Sequence, residues 1–210
     1  VATHESFVIL VLEYVAGGTL RTVIKTYRQL LPRAAARRFA VDILNGLQYL
    51  HDRDVVHGDV KPENVLIGAD SVCKLTDFGS SVERRLAECS PSDECDGPDL
   101  RGTAPYMAPE VAVGELPTAA SDIWSFGVLM HELITGDLPW VHESGPAGAA
   151  KCQVNLLRGL ARSADDPTAL RPKISIVKDN DKKQAVALLE ACLRENPSER
   201  PRAKDVLTFG

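Results

Sequence analysis

Hydrophobic positions along the 210 residues change period several times, and each change marks an element. Phe7 to Leu12 (FVILVL) is a continuous apolar run rich in β-branched residues, closed by Ala16, Gly17 and Gly18; it predicts a buried strand ending in a turn. Thr19 then caps a predicted helix whose apolar residues Leu20, Val23, Ile24, Tyr27, Leu30 and Leu31 recur at intervals of three and four until Pro32 stops it. From Arg33 to His51, Phe39, Ala40, Ile43, Leu44, Leu47 and Leu50 form one stripe, with Arg33, Arg37 and Arg38 on the opposite, wetted face. Two short apolar segments, Asn64 to Ile67 and Val72 to Leu75, flank Gly68, Ala69 and Asp70 and read as a β-hairpin.

Ser80 to Arg101, with Ser90, Pro91, Ser92, Gly97 and Pro98, has no period and reads as a long mobile loop. Ala119 to Thr135 is apolar nearly all round and Gly136 stops it, which makes this helix the predicted centre of the core. Breaker-rich stretches at Gly145 to Ala150 and Ser163 to Pro172 flank a weak helical pattern near Gln153 to Leu160. Lys182 to Glu195 returns to helical spacing, and Ala203 to Leu207 suggests a last short helix.

Composition narrows the function classes. A chain that is 44% hydrophobic and 25% charged can bury a core. Its 24 Lys plus Arg against 29 Asp plus Glu, a net charge of -5, argue against an electrostatic binder of nucleic acid or anionic membranes. Neither a membrane-spanning apolar run nor a secretory signal is legible, so an intracellular, cytoplasmic protein is expected. Cys73, Cys89, Cys95, Cys152 and Cys192 form no Cys-x-x-Cys pair, and reduced thiols are expected rather than a disulfide framework or a zinc site. The chain opens on Val1, directly inside an apolar run, as a fragment would.

The candidate chemistry lies between Val55 and Ser80. His57, Gly58, Asp59, Val60, Lys61, Pro62, Glu63 and Asn64 put an acid, a cation and an amide in one loop before a strand; Asp77, Phe78 and Gly79 add a carboxylate at the end of the hairpin. Taken singly, Asp59 and Asp77 are turn residues, Lys61 a solvated cation and Asn64 the start of a strand. Together they are the inventory of phosphoryl transfer: oxygen ligands for Mg²⁺, a cation for the migrating charge, and a carboxylate to orient the attacking hydroxyl.

On these residues the chain resembles the large lobe of a eukaryotic serine/threonine protein kinase over nearly its whole length. The resemblance implies an α+β fold, a mainly helical C-terminal lobe with a hinge strand and small β-hairpins, the N-terminal lobe being largely missing. It reads 1–210 as one partial kinase domain: 1–18 the last small-lobe strand and hinge, 19–210 the large lobe, 77–110 the activation segment. Asp59 matches the catalytic-loop aspartate, Lys61 the lysine of serine/threonine members, Asn64 and Asp77 the Mg²⁺ ligands, and Ala108, Pro109, Glu110 the APE element. Thr103, in Gly102 to Met107, resembles the substrate-loop threonine that bonds the aspartate and the lysine. The resemblance further implies that main-chain groups of Glu13 and Val15 bind adenine, that Leu12 is the gatekeeper and Leu66 the adenine floor. By the same token His57 packs on Phe78 beside Gly79, Asp122 heads the buried helix, and Arg200 pairs with Glu110.

The expected activity of the complete protein is ATP- and Mg²⁺-dependent phosphorylation of Ser or Thr on protein substrates. The hinge, catalytic-loop and APE regions are similar to those of kinases that act on other kinases in mitogen-activated cascades, so a downstream kinase is a candidate partner. Two departures stand out. Gly58 replaces the arginine that in most kinases neutralises an activation-loop phosphate, so activity is expected to depend weakly on phosphates at Ser90 or Ser92. The glycine-rich cover, strand lysine and helix glutamate of the nucleotide cleft are absent, so the 210 residues alone are expected to be nearly inactive. The rival readings are a pseudokinase scaffold and, from His57, Gly58 and Asp59, a phosphotransferase of the aminoglycoside or choline kinase type, which usually lacks the APE element.

Overall fold

The computed structural model describes residues 2–4, 7–9, 11–83, 102–139, 172, 174 and 183–208; the predicted helix near 153–160, the loop residues 84–101 and the breaker-rich 145–150 lie outside the described residues. Antiparallel β1 (Ala2–His4) and β2 (Phe7–Ile9) come first, followed by α1 (Leu20–Tyr27), α2 (Arg33–His51) and β3 (Val55–Val56). Then come β4 (Val65–Ile67), β5 (Cys73–Leu75), β6 (Val82–Glu83), α3 (Pro109–Ala112), α4 (Ala119–Thr135), α5 (Lys183–Cys192) and α6 (Ala203–Leu207).

Helix α4 is the centre of the core, as its all-round apolarity requires. Ile123, Phe126, Val128, Leu129 and Leu133 are buried on every side, α2 and α5 pack against the helix, and α6 packs against α2. Both of its ends are closed. The Thr118 hydroxyl accepts from the Ser121 amide, the Ser121 hydroxyl accepts from the Thr118 amide, and Gly136 at φ +80° ends the helix with its amide donating to the Glu132 carbonyl. Along α2, Phe39, Ile43, Leu44 and Leu47 are buried while Arg33, Arg37 and Arg38 are exposed, the predicted division.

The sheets are small pairs. β4 and β5 form the predicted hairpin in register Val65 to Leu75, whereas β3 and β6 pair Val55 with Glu83 and Val56 with Val82, which puts a short strand inside the start of the loop expected from Ser80 to Arg101. Strands of two residues carry no period to detect.

Three local expectations are corrected. The strand predicted from Phe7 to Leu12 ends at Ile9, and Val11, Leu12 and Tyr14 lie in irregular, exposed chain that no described element covers. Thr19 occupies the N-cap position of α1, but its side chain makes no capping bond to the backbone; the start of the helix is tied down by the Thr19–Leu66 bridge and by the Ile67 amide, which donates to the Gly18 carbonyl. This junction depends on a glycine, because a Cβ at Gly17 would sit 2.2 Å from the Ile67 carbonyl oxygen. Finally, Tyr27 and Leu30 are exposed rather than on the buried stripe, because the chain turns at Arg28 (φ +45°) and tightens into a 3₁₀ turn over Arg28–Leu30, which breaks the 3.6-residue period.

Candidate active site

The loop 57–64, between β3 and β4, is hung from the first turn of α4. The Asp122 carboxylate, buried and favoured by the positive end of the helix, accepts from the amides of His57 (Oδ2, 2.9 Å) and Gly58 (Oδ1, 2.9 Å). It also bonds His51 Nε2 at 2.8 Å, so the end of α2 converges on the same anchor. With its backbone fixed, the loop brings Asp59, Lys61 and Asn64 together. Lys61 Nζ donates to Asp59 Oδ2 at 2.5 Å and to the Thr103 hydroxyl at 2.7 Å. Asn64 Nδ2 donates to the Asp59 carbonyl at 2.9 Å and to Asp59 Oδ2 at 3.1 Å. One carboxylate oxygen of Asp59 is therefore fully engaged. The other, Oδ1, is buried with no hydrogen-bond partner among the described residues, beside a recess lined by Gly58, Gly102, Thr103 and Tyr106. Thr103 thus meets Lys61, while no direct hydrogen bond joins its hydroxyl to Asp59 among the described residues.

The carboxylate of Asp77 arrives from the end of the hairpin. The Thr76 amide donates to the Asn64 carbonyl at 3.0 Å, and Asp59 N–H donates to His57 Nδ1 at 3.3 Å. That bond leaves the proton on His57 Nε2, which donates to the Thr76 carbonyl at 3.1 Å. Asp77 itself has φ +63°, uncommon for a residue with a Cβ, and its Oδ1 accepts from the Gly79 amide at 3.3 Å. The Phe78 ring lies against that of His57, centroids 5.3 Å apart and planes tilted by 48°. Beyond it the Ser81 hydroxyl donates to the His57 carbonyl at 3.1 Å.

Gly58 is the point at which loop and turn come closest. Its φ is +78°, and a Cβ there would lie 2.5 Å from the Ser80 carbonyl oxygen, so its backbone conformation and the space available both favour glycine.

Away from the loop, Arg200 uses all five of its donors. Nη1 reaches Glu110 Oε1 (2.6 Å) and the Ala120 carbonyl, Nη2 reaches Glu110 Oε2 (2.8 Å) and the Glu195 carbonyl, and Nε reaches the Arg194 carbonyl. Glu13 pairs with Lys74 Nζ at 2.6 Å, Val15 is in irregular chain, Leu12 is exposed and Leu66 is half-buried in β4; no hydrogen bond links Glu13, Val15 or Leu66 to the Asp59 set among the described residues.

A second charged cluster borders the first and was not singled out in the sequence. Arg21, from the first turn of α1, donates through Nε and Nη2 to the two carboxylate oxygens of Glu63 (2.7 and 3.3 Å), through Nη1 to Glu132 Oε1, and through Nη2 to the Tyr106 hydroxyl (2.5 Å). Tyr106 in turn donates to Glu132 Oε2 at 2.6 Å. Burial alone would lower the pKa of Arg21, but the Glu63 and Glu132 carboxylates outweigh it and hold the guanidinium charge more firmly than usual. Burial and the Glu132 charge push the Tyr106 hydroxyl up. The sequence did hold one signal: Glu132 is a carboxylate in an all-round apolar helix, and such a group needs a partner.

Comparison with known proteins gives the class of this fold. The family model for the protein kinase domain matches residues 1–209, and the chain belongs to that family. It is 32% identical over 201 residues to the serine/threonine-protein kinase BCK1 of Saccharomyces cerevisiae, covering 95% of this chain and 12% of that protein. It is 32% identical to mitogen-activated protein kinase kinase 3 of Arabidopsis thaliana (95% of this chain, 34% of that protein). To the mitogen-activated protein kinase kinase kinase nsy-1 of Caenorhabditis elegans it is 34% identical (98% and 12%). The chain thus spans about a third or less of the length of each of these three relatives.

Proposed function

We propose that the complete protein transfers the γ-phosphoryl group of ATP to serine or threonine hydroxyls of protein substrates, with Mg²⁺ as cofactor. The observation that carries the reading is the Asp59 carboxylate: Oδ2 is pinned by Lys61 and Asn64, and Oδ1 is buried, without a hydrogen-bond partner among the described residues, and beside a small recess. A hydroxyl donating to Oδ1 would be oriented with its proton on the acceptor that is to receive it. Lys61, already drawn to that carboxylate, would place positive charge beside the transferring group. Thr103 would fix the lysine's direction.

The donor set fits a hard cation. Asn64 spends Nδ2 on Asp59, which leaves its amide oxygen for a ligand, and Asp77 supplies a carboxylate on an exposed turn. Among the described residues no group of three or more His, Cys, Asp and Glu could hold a metal, so these two oxygens would act together with ATP phosphates rather than as an all-protein cage. Bound Mg²⁺ would neutralise the phosphate charge that develops during transfer. Glu13 and Val15 would offer main-chain groups to adenine with Leu66 beneath it and Leu12 as gatekeeper; His57, Phe78, Gly79, Asp122, Glu110 and Arg200 would hold this frame in place.

The cascade names of two relatives support a downstream kinase as substrate. We expect the 210 residues alone to transfer phosphoryl groups slowly or not at all, since the glycine-rich cover, strand lysine and helix glutamate of the cleft are not among them. Among the described residues no helix is long and apolar enough to cross a membrane.

The test is Asp59→Asn in the full-length protein. Turnover on a protein acceptor should fall by about a thousandfold while Mg-ATP affinity is kept. Unchanged turnover would remove Asp59 from the reaction, and Mg-ATP binding by the unmodified protein with no transfer to any protein acceptor would identify a scaffold instead.

A further inference from the structure

The Arg21 cluster lies against the acceptor site, and its connections suggest what it does there. Glu63 belongs to the same loop as Asp59 and Lys61, and Tyr106 follows Thr103, whose hydroxyl is bonded to Lys61. Four separate pieces of structure therefore meet at one guanidinium: α1, the 57–64 loop, the Ala104–Tyr106 turn and α4. The carboxylates grade from a half-exposed mouth at Glu63, 47% exposed, to a floor at Glu132, 8% exposed, with Arg21 at 20% between them. Such a recess, with two carboxylates and a phenol at hydrogen-bonding distance of a planar fork, is built to take a guanidinium. The chain supplies that guanidinium itself.

A basic side chain on a bound substrate would need the same oxygens. To reach them it would have to displace a group that is tethered in place, whose side-chain ordering was met on folding and whose bonds to Glu63 are already bidentate. We propose that Arg21 is a specificity-determining residue, filling from within the anionic recess beside the acceptor hydroxyl, so that the protein does not select substrates by an Arg or Lys near the phosphorylated residue. The inference rests on the protein-phosphorylating reading given above. Removal of Arg21 should convert the recess into a site for a basic side chain.

The experiment compares the full-length protein with Arg21→Ala and Arg21→Gln on Ser- and Thr-peptide arrays in which each flanking position is varied. The unmodified protein should be indifferent to Arg and Lys. Each variant should gain about a tenfold preference in kcat/KM for Arg at one flanking position, expressed mainly in KM. Adding Glu63→Gln should abolish the gain, which a merely structural loss would not do. Arg21→Gln keeps the inner part of the side chain and a polar end without its charge and serves where the alanine variant does not fold. An unchanged profile in a folded variant, or an Arg preference already present in the unmodified protein, overturns the proposal. If no form phosphorylates any peptide, the transfer reading fails on its own, and the recess is read by fluorescence anisotropy with an Arg-containing peptide and its Ala counterpart. Tighter binding of the Arg peptide to the variants than to the unmodified protein supports the proposal, and equal binding overturns it.

Discussion

The loop 57–64 and the turn 76–81 meet at one site but are held by different means. In the loop, His57 is fully buried and Asp59 and Asn64 nearly so, and the backbone hangs from a carboxylate on the central helix. In the turn, Phe78 is half exposed, Asp77 and Gly79 are exposed, and Asp77 keeps an unfavourable backbone angle. The turn is pinned at its ends, by Thr76 to Asn64 and His57 and by Ser81 to His57, while in its middle Asp77 and Gly79 are exposed and the Phe78 ring rests on His57. One half of the site is thus set by the same packing that folds the protein, and the other is held by hydrogen bonds at its ends and one ring contact.

Substitutions should separate the two halves by stability. The largest effect is expected from Asp122→Ala, which leaves two loop amides and His51 without their acceptor: about 3 kcal/mol of lost stability by urea unfolding. A loss under about 1 kcal/mol would mean that the loop does not depend on α4. Gly58→Ala tests the contact between the halves. The positive φ and the nearby Ser80 carbonyl should cost about 2 kcal/mol, and an unchanged unfolding midpoint would show that the turn yields freely. Asp77→Asn should leave stability within about 0.5 kcal/mol, because asparagine adopts the left-handed conformation as readily, while Mg²⁺-dependent turnover falls at least about a hundredfold. A midpoint shift as large as that of Asp122→Ala would erase the distinction.

The smallest effect is titrational and belongs to the core side alone. Burial pushes the Cys73 and Cys192 thiols from 9.0 up to about 12, so the folded state favours their protonated form. Their contribution to stability is whole below pH 9.0 and is drawn down as pH rises toward 12. Both thiols should resist iodoacetamide at pH 8 in the folded protein and react in urea, as mass spectrometry of the alkylated peptides would show.

What was legible in the sequence follows period and spacing rather than that division. Helices α2, α4 and α5 declared themselves because packing against a core imposes a period on the chain, and the β4–β5 hairpin because its turn residues interrupt two apolar segments. Asp59, Lys61, Asn64 and Asp77 stood out as a set because their register is shared. The pairing of β3 with β6 was not legible, since it rests on two residues from each strand, nor was the closeness of Ser80 to Gly58, which is a fact about space rather than spacing. Arg21 was missed for a related reason. An arginine on a short amphipathic helix looks solvated until the elements that carry Glu63, Tyr106 and Glu132 converge on it.

The Arg200 clamp has a consequence in time. Its partners on Glu110 and Ala120 lie 90 and 80 positions away along the chain, and the guanidinium is fully buried once they are joined. A cation cannot enter such a site before its acceptors are in place, because desolvating it unpaired is too costly. The clamp is therefore expected to close after α3 and the start of α4 are assembled, on the native side of the main folding barrier. Its loss would shorten the lifetime of the folded protein by speeding unfolding, while the rate of refolding would hardly change.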